Sequence, residues 1–209
     1  MEVLNEWGVN IYKFKINEKE EILEGIFDSM KLDDNNHNQS DQWNAKISRV
    51  IGVLPSPQPP ILKFLRDKIE KHIRPISDFT SMSFISPLKE NVLNCADLWI
   101  NVYEKGDFQG IHRHIENSHA KFSFVYFAKY NPDTDAKLII GNPKTTELML
   151  MSGDLKIIEK KIVPVNEGEV VIFPSYLPHQ YIVDMGYSPF RFIHWNCQAI
   201  PKGVLNPNV

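Results

Sequence analysis

The sequence predicts a mainly β fold with flanking helices, built around a double-stranded β-helix, the jelly roll shared with cupins. From about residue 93 onward, short segments rich in Val, Ile, Phe, Tyr and Trp alternate with Gly, Pro, Asn and Asp turns. Before that point, apolar residues recur at helical spacing. No repeat or sharp composition break divides the 209 residues. We therefore expect a single domain over 1–209, with an N-terminal support region at 1–92 and a jelly-roll core at 93–198.

The support region is predicted to contain one strand and two helices. Residues 9–16 alternate apolar and polar side chains, as a strand does. Asn17 is placed to cap a helix, with Glu20 completing a capping box. Its apolar stripe is Ile22, Leu23, Ile26, Phe27 and Met30. The polar stretch 33–44 predicts a loop, and the prolines of 55–60 precede a second helix. That helix carries Ile61, Leu62, Leu65, Ile69 and Ile73 on one side.

Seven strands are predicted in the core region. Short strands separated by turns favour a sandwich or a barrel. The predicted strands are 96–103, 121–130, 137–140, 147–151, 170–173, 180–183 and 190–198.

Bulk composition narrows the classes of partner and compartment. The net charge of -3 gives no basic footprint, so nucleic acid is not an expected partner. The chain has no apolar run of membrane-spanning length and does not begin like a signal peptide, so we expect no membrane association. Cys95 and Cys197 lie in apolar stretches and are expected to be free thiols. Together these features favour the cytoplasm.

Three histidines form the candidate metal site. If residues 109–114 are extended, His112 and His114 point to the same side. His179 follows the apolar strand 170–173 and a proline-bounded turn, which places it at a barrel mouth. Three imidazoles on one face leave other metal positions open, as in non-heme Fe(II) oxygenases, although those normally use a carboxylate where His114 stands. Solvated or capping histidines are the alternative, and Glu116 is an alternative acidic ligand.

Arg191 lies twelve residues after His179 and is the candidate anchor for an acidic co-substrate such as 2-oxoglutarate. The alternative is a surface ion pair with Asp184. If Arg191 faces inward, His194 faces the other way, which argues against His194 as a ligand.

Trp99, Asn101 and Tyr103 share one face of a predicted strand, so Asn101 or Tyr103 could reach a bound carboxylate; simple core packing is the alternative. The remaining histidines are given no role in the site; they are His37, His72 and His119.

A family resemblance rests on an ordered set of segments. They are 97–102, 106–108, the His112 and His114 pair, 122–127, 142–143, 171–175, His179 and Arg191. In this order they resemble the uncharacterised branch of the 2-oxoglutarate/Fe(II) oxygenase superfamily found in bacteria and marine phages. The resemblance covers roughly 93–198.

The resemblance implies a jelly roll, Fe(II) at His112, His114 and His179, and 2-oxoglutarate anchored by Arg191. It also implies a dioxygenase, an oxidoreductase that uses O2 and converts 2-oxoglutarate to succinate and carbon dioxide while hydroxylating a substrate. Ile193 stands where such families often have Ser, which leaves Asn101 or Tyr103 to compensate.

The substrate is not indicated; a small molecule or a protein side chain is expected. Three alternatives remain open. The chain could be a non-redox, cupin-like barrel that binds a metal or a ligand. It could be a degenerate oxygenase that acts as an interaction domain, or a three-histidine dioxygenase that does not use 2-oxoglutarate.

Overall fold

The computed structural model describes residues 1–16, 37–40, 43–50, 82–85, 98–114, 122–152, 159–187 and 189–201. The strands are β1 (Glu2–Glu6), β2 (Val9–Lys15), β3 (His37–Ser40), β4 (Trp43–Val50), β5 (Met82–Ile85), β6 (Leu98–Tyr103), β7 (Phe108–His112), β8 (Phe122–Lys129), β9 (Leu138–Gly141), β10 (Lys160–Ile162), β11 (Glu169–Pro174), β12 (His179–Tyr181) and β13 (Phe190–Pro201). One helix, α1 (Pro143–Ser152), follows β9. Within these ranges no helix is long and apolar enough to cross a membrane.

The strands pair in the order β1-β2-β11-β8-β13-β6-β4-β7-β12-β9-β10, with β3 added to β4 and β5 to β13. Most neighbours in this order are distant in sequence, so the connections cross over as they do in Greek-key and jelly-roll sheets. A mainly β architecture is therefore confirmed.

Strand β13 lies at the centre of the order and has two differently occupied faces. Side chains alternate along a strand. Phe190 and Phe192 pack against Tyr103 of β6, with ring centroids 5.7 and 5.1 Å from the tyrosine ring. On the opposite face, Trp195 stacks on Phe124 of β8 at 5.1 Å. We call the face with Phe190, Phe192, His194 and Asn196 the inner face, and the face with Arg191, Ile193 and Trp195 the outer face.

Strands of the predicted support region belong to this same sheet. β2 pairs with β11, and β4 lies between β6 and β7. The strand predicted at 9–16 is confirmed by β2. The prediction of a single domain, with a support region at 1–92, stays a prediction. The two helices predicted in that support region lie outside the described residues.

Six of the seven core strands are confirmed, and the strand predicted at 147–151 is wrong. That segment belongs to α1. Asn142 caps the helix, because its Oδ1 accepts a hydrogen bond from the Lys144 amide at 3.0 Å. Pro143 at the first helical position needs no amide hydrogen and has a suitable φ. These capping residues outweigh the strand preference of the sequence that follows.

The loop predicted over 33–44 is also wrong where the structure describes it. Residues 37–40 form β3, which pairs with β4 from Ser40↔Trp43 to His37↔Lys46. The pairing of backbone groups with a neighbouring strand stabilises this polar segment in a way that its composition does not indicate.

Candidate metal centre

Two strands and a turn bring three histidines together. β7 and β12 pair so that His112 lies directly opposite His179. His114 follows the end of β7, and its amide donates a hydrogen bond to the Ser175 carbonyl at 3.0 Å. The turn before β12 therefore positions His114 as well as His179.

The three imidazoles form a compact group that could hold a metal ion. One ligand atom from each lies within 4.8 Å of the others. The ring centroids of His112 and His179 are 4.2 Å apart, those of His114 and His179 5.0 Å, and those of His112 and His114 5.1 Å. The predicted proximity of His112, His114 and His179 is thus present in the structure; their role as ligands remains a proposal.

Hydrogen bonds orient two of the rings. Nδ1 of His112 lies 2.9 Å from the Gly110 carbonyl, and Nδ1 of His179 lies 3.0 Å from the Leu177 carbonyl. A carbonyl only accepts, so each Nδ1 carries the hydrogen and each Nε2 has a lone pair. Nε2 of His179 is buried and has no hydrogen-bond partner in the described part of the chain. Backbone carbonyls orient metal-binding histidines in this way.

Burial favours the neutral form of His112 and of His179. It lowers the pKa of His112 below 6.5. It lowers the pKa of His179 well below 6.5, and the neighbouring imidazoles lower it further because like charges would repel. Neutral imidazole is the form that binds a metal ion. These donors fit Fe(II), and they would also suit zinc.

A fourth imidazole, from His194, lies beside this group. Its ring centroid is 4.9 Å from that of His114 and 5.6 Å from that of His179, and the residue is only 4% exposed. Trp99 contacts it at 5.2 Å and stacks on His114 at 5.3 Å. The expectation that His194 faces away from the site is therefore wrong.

Arg191 is not brought together with the histidines. It pairs with Val102 on β6, whereas Phe192 pairs with Asn101 and Phe190 with Tyr103. Directly paired residues share a face, so Arg191 lies on the outer face with Ile193 and Trp195, as their spacing predicts. Both faces of β13 are largely apolar, so alternation alone does not indicate which face meets the site. The predicted role of Arg191 as a co-substrate anchor stays a prediction.

Asn101 and Tyr103 lie on the inner face. Asn101 is 2% exposed, and its side-chain amide donates to the Trp99 carbonyl at 3.3 Å. Tyr103 is fully buried, and its hydroxyl has no hydrogen-bond partner within the described ranges. Burial raises the pKa of Tyr103 well above 10, so its hydroxyl is a neutral donor. Their predicted contact with a co-substrate remains a prediction.

Glu116, His119 and His72 are outside the described residues, and His37 is in β3.

Comparison with known proteins agrees with this geometry. Residues 97–189 match the family model described as a putative 2OG-Fe(II) oxygenase. The resemblance predicted from the sequence is thereby confirmed, over a segment that contains all three clustered histidines. No protein of curated function matches the chain in sequence.

Solved structures of this class share the fold, so the jelly-roll prediction is confirmed. AviO1 from Streptomyces viridochromogenes Tue57 superposes with a TM-score of 0.60 at 14% identity, covering 95% of this chain and 92% of that one. A prolyl-4-hydroxylase from Pseudomonas putida gives 0.56 at 13%, covering 90% and 92%. The viral collagen prolyl hydroxylase of Paramecium Bursaria Chlorella virus-1, solved with 2OG, gives 0.53 at 9%, covering 91% and 96%.

Proposed function

We propose that this chain is an Fe(II)-dependent dioxygenase that uses 2-oxoglutarate, with iron held by His112, His114 and His179. The observation that carries the proposal is the group of three imidazoles whose ligand atoms lie within 4.8 Å, inside the segment that matches the oxygenase family. Three protein ligands leave positions for a co-substrate and for dioxygen.

Residues around the three histidines have two roles, to orient the metal-binding nitrogens and to limit the access of water. Carbonyl contacts from Gly110 and Leu177 direct the Nε2 lone pairs of His112 and His179 toward the site. The fully buried Phe173 and the partly buried Trp99 pack on these rings and limit the access of water. Bound iron with its 2-oxo acid would supply the oxidation of a substrate C–H bond by dioxygen. The substrate is a small molecule or a protein side chain; the collagen prolyl hydroxylase among the structural neighbours is an example of the second.

Anaerobic titration tests the proposal. Fe(II) followed by 2-oxoglutarate should produce the weak visible charge-transfer band of an iron-bound keto acid. The band should require both additions and disappear in His179→Ala. His37→Ala, at a position in β3, should retain it. A band of equal strength in His179→Ala would refute the assignment.

A second candidate is a cupin-like barrel that binds a metal ion without redox chemistry. One observation favours it: Arg191 pairs with Val102, on the face of β13 opposite His194, and an inward Arg at this position is the feature that would most distinguish an oxygenase from such a barrel. In the same titration, this candidate predicts metal binding without a keto-acid band.

A further inference from the structure

Two polar side chains on the inner face of β13 are not accounted for by the three-histidine group. His194 is 4% exposed and Asn196 is 5% exposed. Nε2 of His194 and Nδ2 of Asn196 are buried and have no hydrogen-bond partner among the residues that the structure describes. Burying polar atoms without partners is costly, so the pair favours a ligand on this face of β13, where His194 contacts the candidate metal centre.

The amide of Asn196 is held in a fixed orientation. The Ser123 hydroxyl lies 2.8 Å from Oδ1 of Asn196 and 3.1 Å from the Ser175 hydroxyl. Ser175 also accepts the amide hydrogen of His114 through its carbonyl. Because Ser123 occupies Oδ1, the NH2 group is left as a preorganised donor, tied to the segment that positions His114.

His194 is a neighbour of the three-histidine group and not a fourth member of it. The atoms that lie within 4.8 Å of one another come from His112, His114 and His179 alone. Its ring nevertheless contacts those of His114 and His179. A ligand bound at the three-histidine group would therefore lie close to this imidazole.

The distal carboxylate of 2-oxoglutarate would find no cation on the inner faces of β13 and β6, as far as the structure describes them. Between His194 and the start of β13, the described inner-face residues of these two strands are Phe190, Phe192, Asn101 and Tyr103. Tyr181 of β12 packs on Phe192 at 4.5 Å, which extends the aromatic surface. Burying a distal carboxylate there without a cation would be unfavourable.

We propose that the co-substrate is recognised at its keto-acid head, by hydrogen bonds from Asn196 and His194, and not at its tail by Arg191. The inference rests on the proposed function. It assigns Asn196 and His194 as co-substrate-binding residues and predicts that the site accepts 2-oxo acids that lack a distal carboxylate.

The test compares 2-oxoglutarate with 2-oxobutyrate, which has the same head and an uncharged tail. Each is titrated anaerobically into the Fe(II)-loaded protein, and the dissociation constant and the position of the charge-transfer band are measured. The two constants should agree within about fivefold, since no charge-assisted bond distinguishes the tails. Asn196→Leu and His194→Phe preserve volume and should each weaken both acids by about 10-fold. Both variants should also shift the charge-transfer band while keeping the Fe(II) affinity of the wild type. Arg191→Ala should leave the dissociation constants of both acids unchanged.

Several results would overturn the inference while leaving the proposed function intact. One is a dissociation constant for 2-oxoglutarate about 100-fold lower than that for 2-oxobutyrate, if this difference is lost in Arg191→Ala. Loss of the difference in Arg49→Ala would have the same meaning, because the backbone of Arg49 pairs with that of Trp99 on β6. Another is a loss of Fe(II) affinity in His194→Phe as large as in His179→Ala, which would make His194 a ligand. Failure of the wild-type protein to form any keto-acid band would instead contradict the proposed function itself.

Discussion

Buried imidazoles make the stability of the metal-free protein depend on pH. Burial lowers the pKa of His179 and of His194 well below 6.5 in the folded state. As the pH falls through 6.5, the unfolded chain therefore takes up protons that the folded chain does not, and stability declines.

We expect the free energy of unfolding to fall steadily from about pH 7.5 to about pH 5.5. Urea denaturation at a series of pH values measures this. His194→Phe removes one of the titrating groups and should flatten the slope of the free energy of unfolding against pH. An identical slope in His194→Phe and the wild type would show that His194 titrates normally.

A single capping side chain determines where α1 begins. Asn142 accepts the Lys144 amide through Oδ1 and donates to the Glu159 carboxylate through Nδ2 at 3.0 Å. Asn142→Ala should destabilise the protein by about 1 kcal/mol, because the first helical turn loses its acceptor. Thermal or urea unfolding measures the loss. Lys144→Ala, an exposed change in the same turn, should cost far less; equal losses would mean that the cap contributes little.

At the scale of the elements, β13 shows how far sequence patterns reach. The β-branched and aromatic residues of this segment predict that it is a strand. They do not predict which of its two faces points toward the site. Arg191, Ile193 and Trp195 alternate with Phe192, His194 and Asn196, and both sets are largely buried. Sequence alternation separates the two sets without orienting them. Only pairing with β6 and β8 determines that the inner face carries His194.

The inner-face aromatic cluster should dominate the stability of this strand. Phe192 is fully buried and contacts the rings of Tyr103, Tyr181, Phe127 and Phe190. Phe192→Ala should cost about 3–5 kcal/mol, because it removes apolar contacts and leaves a cavity. The urea midpoint reports this loss. Tyr187→Ala, at a residue 89% exposed, should change stability by less than about 0.5 kcal/mol. A small effect of Phe192→Ala would indicate that the cluster repacks.

Across the whole molecule, the sequence predicts those parts of the site that depend on local spacing. It does not predict those that depend on pairing between strands distant in sequence. His112 and His114 are two residues apart, and His179 follows a recognisable strand and turn, so their convergence could be inferred from spacing. The position of His194 beside them depends on β13 pairing with both β6 and β8, which sequence spacing does not encode. The same long-range pairing places Arg191 on the outer face.

Metal binding should stabilise the whole fold because its ligands come from distant segments. In the sequence, strands β8 to β11 lie between His112 and His114 on one side and His179 on the other, and the unfolded chain does not hold these residues together. At a free metal concentration 100 times the dissociation constant, binding adds about 2.7 kcal/mol. For a chain of this length, that corresponds to a rise in Tm of roughly 5–10 °C. Anaerobic thermal unfolding with Fe(II), or with Co(II) as a redox-stable substitute, measures it. His179→Ala should abolish the rise and Asn196→Leu should retain it, since Asn196 is assigned to the co-substrate and not to the metal. A rise that survives in His179→Ala would place the metal outside the three-histidine group.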